Sequence, residues 1–302
     1  MGLLPPLLLL IPFLLVRAPG RAEACSKFHE SIFELAHSAS RVAVARVENG
    51  GFGFGTLRVL RGLKGVAKGK LLTPGKANTS CGVRYNKGRR VLVFVTKKGW
   101  LAGSYEGLIE AKDHKGEFKD ATKTLLVFLR ARGPADQLKV LRNAIETSGD
   151  WVRYEALYFL QGSPDLLRLM TDADLQVIEA NLHRARHATT AAQLLARLGN
   201  EQSLIRVKKA AASSREAAQA YQGVEKLFAS SLALRQLTDT DKLATMVGDA
   251  SIPIHTRIAA LSRCELSHGK SLFRFAGYVG GLAEHVWPKL ALACRRGKPH
   301  RW

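Results

Sequence analysis

The chain's capacity for chemistry rests on four cysteines, Cys25, Cys81, Cys264 and Cys294, and on the absence of anything that reads as a catalytic set. Cys25 has the most potential, because it follows Ala22-Glu23-Ala24, a small-x-small cleavage site, after an apolar stretch from Leu3 to Val16 that is too short to span a bilayer comfortably. Cleavage there makes Cys25 the first residue of the mature protein. Acylation of Cys25 is the competing reading, but Ala-Glu-Ala fits poorly before a lipidated cysteine. Four cysteines in an exported chain allow three pairings. Their distribution favours Cys25 with Cys81 and Cys264 with Cys294, and their spacing is too wide for a structural zinc site.

Searching for catalytic chemistry yields no HExxH, no GxSxG, no phosphate-binding glycine loop and no useful cluster of carboxylates, so no enzyme activity and no cofactor are expected. His183 and His187 stand four apart and could share a metal on one helix face, but no third ligand is near. With Arg184 and Arg186 between them, they read as a basic exposed helix face. Asn78-Thr79-Ser80 satisfies the glycosylation sequon.

Removing residues 1–24 takes Arg17, Arg21 and Glu23 with it, so the 46 basic and 25 acidic residues of the chain become 44 and 24. Such an excess favours acidic partners: an anionic surface, a polysaccharide or an acidic protein. Export and the lack of an aromatic stacking pattern argue against nucleic acid. No later segment has the length to span a membrane, and the mature chain is read as secreted or periplasmic. The basic end RRGKPHRW reads as a solvated tail.

The elements that must position Cys25 are short strands. Arg41 to Val47 alternates as RVAVARV, Thr56 to Leu60 follows the glycines of NGGFGFG, Lys70 to Thr73 is brief, and Arg90 to Thr96 is the strongest strand; one or two more are expected within Trp100 to Ala111. Ahead of them Phe28, Ile32, Phe33, Leu35 and Ala36 form a helical face. Short strands with glycine turns predict a small closed β-barrel with a helix packed on it.

The mature start Cys25-Ser26, the later NTSCGV with Cys81-Gly82, the intervening TLRVLRGLKG and the RRVLVFV strand resemble, in order and spacing, the netrin-like domain of the tissue inhibitors of metalloproteinases and their bacterial relatives. The resemblance covers about residues 25–115. It implies a five-stranded barrel of the oligonucleotide-binding type and a Cys25–Cys81 bridge. It further implies that the α-amine and carbonyl of Cys25 chelate a target protease's catalytic zinc and displace the bound water, removing the nucleophile. Ser26 would point toward the enzyme's first primed pocket, and the turn formed by Asn78, Thr79, Ser80, Cys81 and Gly82 would make a second contact. The amine binds only when neutral, so metal binding must release its proton. A second bridge usual in the family would fall at Lys27 and near Ser104. Both cysteines are absent, so rigidity must come from the helix or from the second half of the chain.

After Gly133-Pro134 glycine thins and a helical period takes over. Helices are expected at Ala135 to Thr147, Trp151 to Leu160, Asp174 to Ala185, Thr189 to Leu198, Ser214 to Ser230, Ile254 to Arg263 and Gly281 to Cys294. Two segments are alike: GDWVRYEAL at 149–157 and GDASIPIHTRIAAL at 248–261 each carry Gly-Asp followed by Arg-x-x-Ala-Leu. That is similar to the second helix of HEAT-type repeats, with an irregular helical bundle as the alternative. The expected organisation is a leader over 1–24, an OB-type netrin-like barrel over 25–130 and an α-helical, HEAT-like domain over 134–302. The expected role is binding: protease inhibition through Cys25, or alternatively adaptor work at an envelope or matrix surface.

Overall fold

The computed structural model describes residues 30–75, 83–103, 107–114, 116–269, 271–272 and 284–298. It opens with α1 (Ile32–Ser38), followed by β1 (Arg41–Gly50), β2 (Gly55–Lys64), β3 (Leu71–Leu72), β4 (Arg90–Val95) and β5 (Leu108–Glu110). All four pairings are antiparallel, in the order β3-β2-β1-β4-β5.

The strands form where valine, leucine and phenylalanine alternate, and both faces of the sheet are buried over part of their area. Ala43, Ala45, Val47, Leu57, Val59, Val91 and Val93 fill one face as a core of their own. Val42, Val44, Leu92 and Phe94 on the other face join the core of α1 and the helices that follow.

The closed barrel expected above is not made by the described strands. The two edge strands are two and three residues long, and between their flanks runs a single parallel bridge, Gly75 to Trp100. A barrel needs a hydrogen-bonded ladder between first and last strands, and one bridge leaves the sheet open.

A short 3-10 turn (Ala111–His114) leads to α2 (Glu117–Arg130), which the sequence reading did not anticipate. Its buried face, Phe118, Ala121, Leu125 and Phe128, has helical spacing and packs into the shared core. The remaining helices are α3 (Pro134–Thr147), α4 (Asp150–Gln161), α5 (Pro164–Leu167), α6 (Asp172–Glu179), α7 (Ala188–Leu198), α8 (Glu201–Ser213), α9 (Arg215–Ala233), α10 (Thr240–Gly248), α11 (Ile254–His268) and α12 (Trp287–Arg296). Punctuation in the sequence sets many of their ends: Pro134 sits in the first turn of α3, Thr171 and Asp174 form a capping box on α6, and Asn200, Ser214 and Asp239 cap α8, α9 and α10.

The helices lie in two alternating layers. In one, α4, α7, α9 and α11 are neighbours in that order; in the other, α3, α6 and α8 follow one another, and α12 packs on α10. Within this arrangement α3 pairs with α4, α6 with α7, α8 with α9 and α10 with α11. A second core centred on Trp287, Leu243, Leu261 and Leu290 closes the C-terminal end. Cys264 of α11 and Cys294 of α12 lie there at disulfide distance, their Cα atoms 5.6 Å apart and both fully buried. Such a pair is compatible with an oxidising location. Among the described residues no helix is long and apolar enough to cross a membrane.

The His183–His187 stretch is a correction. It is a run of turns between α6 and α7 rather than a helix face, and the two histidines part company: His183 is exposed, whereas His187 is fully buried with Nε2 3.3 Å from Asp150 Oδ1. Packing at the helix junction overrides the local period.

Candidate functional site

Seven candidate residues, Cys25, Ser26, Asn78, Thr79, Ser80, Cys81 and Gly82, lie outside the described residues. The first described residues after the two segments, Glu30 and Val83, belong to one cleft. Glu30 follows the Cys25 segment and Val83-Arg84 follows Gly82; all three line a cleft of about 540 Å³ between α1, β5 with its following turn, and the start of α4.

The cleft is organised around α1. Seven residues are too few for a helix to persist alone in water, and charged side chains from distant parts of the chain hold it at both ends. At its N-terminus Glu155 of α4, only 2 % exposed, accepts the Ile32 N–H through Oε2 at 2.8 Å, while its Oε1 accepts the Trp151 indole N–H at 3.2 Å. Ser31 caps the same end by accepting from the Glu34 N–H at 3.1 Å. At the C-terminus Lys64 of β2 donates Nζ to the carbonyls of Ala36 and His37 at 3.0 and 3.2 Å, and burial pushes its pKa below the usual lysine value. A carboxylate at the positive end and an ammonium at the negative end both complement the helix dipole.

Further ties fix the cleft walls. Glu117 of α2 accepts the Trp151 N–H at 2.7 Å, capping α4 from outside, and the His114 ring stacks on Trp151 with centroids 3.5 Å apart. Burial lowers the His114 pKa, with Glu155, Asp113 and Glu117 pulling the other way. Glu110 of β5 accepts from the Asn86 amide at 2.5 Å and pairs with Lys112 at 3.2 Å. Gly103, at φ 61°, has no room for a side chain: a Cβ there would collide with the Glu30 carboxylate and with Leu35. Glu30, Glu110 and Glu155 therefore place three nearly buried carboxylates in one cleft of a strongly basic protein.

Two of these carboxylates hold neighbouring elements in place. The Glu155 carboxylate is engaged by a helix terminus and an indole, and Glu110 by an amide and an ammonium. Among the described residues no group of three or more histidines, cysteines or carboxylates is placed to hold a metal. Sequence reasoning missed Glu155, Glu117 and Lys64. The only local signal was an acid inside an otherwise apolar helix face in DWVRYEALYFL, and its partner stands 123 residues away.

Comparison of the chain with protein-family models, with curated proteins and with solved structures finds no match in any of the three.

Proposed function

We propose that the chain is an exported, non-enzymatic binding protein that presents its mature N-terminus from the cleft beside α1. In its sharpest form the Cys25 α-amine and carbonyl close on the catalytic zinc of a target metalloprotease, with Ser26 and the Asn78–Gly82 turn as flanking contacts. The observation that carries this reading is that Glu30 and Val83, the described residues following the two candidate segments, line the same cleft. An inhibitor of this kind needs its terminus rigidly held. The bridge missing at Lys27 and Ser104 has a counterpart here in the Glu155 and Lys64 caps, which tie α1 to the helical half and to the sheet.

The test is a pair of mature proteins, one beginning at Cys25 and one extended by a single alanine, assayed against zinc metalloproteases after mass mapping of the terminus and of the Cys25–Cys81 bond. Inhibition by the first alone is expected. Equal behaviour of the two, or a terminus that is acylated or internal, overturns the chelation reading.

A second reading, an adaptor built on a HEAT-like stack, is favoured by a separate observation. Arg153 of α4 and Arg257 of α11, the matching arginines of the two similar segments, are both nearly buried. Each donates Nε to a carbonyl near the end of the preceding partner helix, Ile145 at 2.7 Å and Val247 at 3.1 Å. Equivalent arginines in equivalent helix pairs are what repeats of one unit would retain. Under this reading, partner binding survives the alanine extension and is lost on substituting Lys226 and His255, which line a groove of about 420 Å³ across α7, α9 and α11.

A further inference from the structure

The hairpin joining β1 and β2 carries two phenylalanines that nothing covers. Phe52 is 69 % exposed and Phe54 62 %, the two highest values among the exposed large apolar side chains. They do not swing on a loose loop. Tyr85, almost fully buried, packs where Gly50 and Gly55 lack side chains; a Cβ at either glycine would stand 2.4 Å or less from it. The tip is laced to the chain after Gly82 by Gly53 N–H to the Val83 carbonyl at 2.8 Å and Tyr85 N–H to the Gly51 carbonyl at 2.9 Å. The Phe54 ring lies against Gly51, so that a side chain there would collide with it. The hairpin holds two apolar rings in water on a fixed frame, where a flexible loop would let them fold back.

Basic side chains predominate around this apex. From Arg41 to Gly103 the sequence has fourteen lysines and arginines and one carboxylate, Glu48, with Arg41, Lys64, Lys97 and Lys98 at the end of the sheet away from the hairpin. Arg84 bridges to Phe52, and Arg84, Lys87 and Arg89 are exposed beside the tip. Farther along the sheet, Arg46 stands directly opposite Arg58 on β2 and Arg90 on β4, so three exposed arginines cross three strands in one row, about 4.8 Å from strand to strand. Their side chains share the face of Val44 and Leu92 but lie beyond the area the helices cover. Among the described residues only Arg58 has an acidic partner, Glu48. Like charges directly opposite one another weaken a sheet, and among the described residues no ion pair or side-chain hydrogen bond engages Arg46 or Arg90.

We propose that this end of the sheet docks the protein peripherally on an anionic lipid bilayer, Phe52 and Phe54 entering the boundary of the acyl chains and the surrounding arginines and lysines meeting the headgroup phosphates. An apolar wedge ringed by cations gains from both parts of such a surface. Guanidinium groups supply paired donors that suit phosphate oxygens. A soluble polyanion would engage the cations and leave both rings in water, so the rings select the bilayer. The rings also stand at the apex of a hairpin, where a soft planar surface can reach them together. Lipid docking rests on the hairpin and its arginines and not on the chelation reading, although Arg84 lines the cleft as well.

The experiment is sedimentation of the mature chain with vesicles of phosphatidylcholine alone or mixed with phosphatidylglycerol, at low and high salt. Binding only to the mixed vesicles, weakened by salt, is expected. Replacing both rings (F52S/F54S) should lower partitioning about tenfold or more, and R46Q/R90Q about tenfold, with circular dichroism unchanged. Should the double serine variant fold poorly, F52W gives an independent readout: relative to the parent, added emission that shifts to the blue and is quenched by brominated lipid on mixed vesicles. Absence of vesicle binding, equal binding to the neutral vesicles, or an F52W signal that stays in water overturns the proposal. So does vesicle binding that is indifferent to F52S/F54S and competed away by heparin, which would identify a polyanion site.

Discussion

The arginines of the helical stack and those of the sheet are put to opposite uses. Arg153, Arg197 and Arg257 are almost wholly buried, and most of their donors meet carbonyls, carboxylates or a hydroxyl; Arg257, whose Nη2 meets no acceptor among the described residues, stacks its guanidinium over the Trp287 ring at 4.2 Å. Arg46, Arg89 and Arg90 point outward among like charges. The sequence composition follows the same division. Glu117 to Cys294 holds 23 basic and 18 acidic residues, near balance, whereas Arg41 to Gly103 holds fourteen and one. A buried guanidinium is tolerated when most of its protons are satisfied, because desolvation of the charge otherwise costs on the order of several kcal/mol. An exposed row of arginines faces no such demand. Net charge read over the whole chain hides this division.

The comparison is tested most severely at Arg197. It donates Nη2 to Glu265 at 2.5 Å, Nη1 to the Gln161 carbonyl and Nε to the Ser262 hydroxyl at 3.2 Å, tying α4, α7 and α11 at one point. Glu265 is fully buried and also accepts the Leu272 N–H at 2.9 Å. Arg197→Ala removes the guanidinium partner of that buried carboxylate, and a loss of about 3–5 kcal/mol in urea unfolding is expected. A loss under 1 kcal/mol would mean that water reaches the site and that the two arginine classes differ less than their burial implies.

Removing the second-core cross-link by replacing Cys264 and Cys294 together with alanine should cost about 3 kcal/mol, since the bond closes a loop of 30 residues. Glu155→Leu should cost about 1–3 kcal/mol by leaving the α1 N-terminus and the Trp151 indole without an acceptor. If the chain inhibits a protease as proposed, inhibition and stability should fall together in this variant. Glu155→Gln, which keeps one acceptor oxygen and turns an amide donor toward the other N–H, should fall between. If Glu155→Leu destabilised the protein and left inhibition untouched, the cleft would have no part in holding the terminus.

Acid separates the regions differently. Burial lowers the His187 pKa, opposed by its hydrogen bond to Asp150, and burial likewise lowers that of His114. Asp150 is itself held below the usual carboxylate range by the His187 hydrogen bond, but it is half exposed. Of these two opposed indications the burial of the imidazole decides, because His187 has no contact with solvent. A histidine whose folded pKa lies below its unfolded value near 6.5 leaves stability unchanged above that pH. Stability is then lost as pH falls from there toward the folded pKa, because the unfolded chain takes up the proton first. The melting temperature should therefore drop on going below about pH 6.5, and His187→Asn should flatten that slope. A slope unchanged in the variant would place the acid sensitivity elsewhere.

What the residues disclosed in advance was largely what local pattern controls. The β1, β2 and β4 alternation, the α3, α4 and α7 periods and the pairing of Cys264 with Cys294 could be read from spacing, because each depends on residues close in sequence or on a short set of choices. Misses arose where distant contacts decide. α2 was absorbed into the barrel because its apolar face, Phe118 to Phe128, precedes the Gly133-Pro134 break that marked the change in composition. α8 and α10 bury few apolar residues, Val207 and Ala210 or Leu243, Ala244 and Val247, and gain their order from the helices packed against them. The open sheet followed from edge strands too short to close, which alternation in β1 and β4 does not reveal. Of the candidate site, the cysteine segments were legible as motifs, but the side chains that brace α1 beside them were not. Glu155 and Lys64 become caps only once 123 and 28 residues of intervening chain have folded.

The smallest expected change in stability is at Arg46, and it is the one that sharpens the comparison most. Two arginines face it directly, and no acidic partner to it is present among the described residues, so Arg46→Gln removes repulsion without removing a contact. Stability should stay level or rise by up to about 1 kcal/mol in urea unfolding. Arg153→Gln, at a guanidinium bonded to Ile145, Ser148 and Asp150, should instead lose about 1.5–3 kcal/mol. A residue whose removal leaves the fold as stable as before, or more so, is not retained for the fold. If Arg46→Gln proved as costly as Arg153→Gln, the row across β2, β1 and β4 would be structural after all, and the outward-facing charge of the sheet would need no partner to explain it.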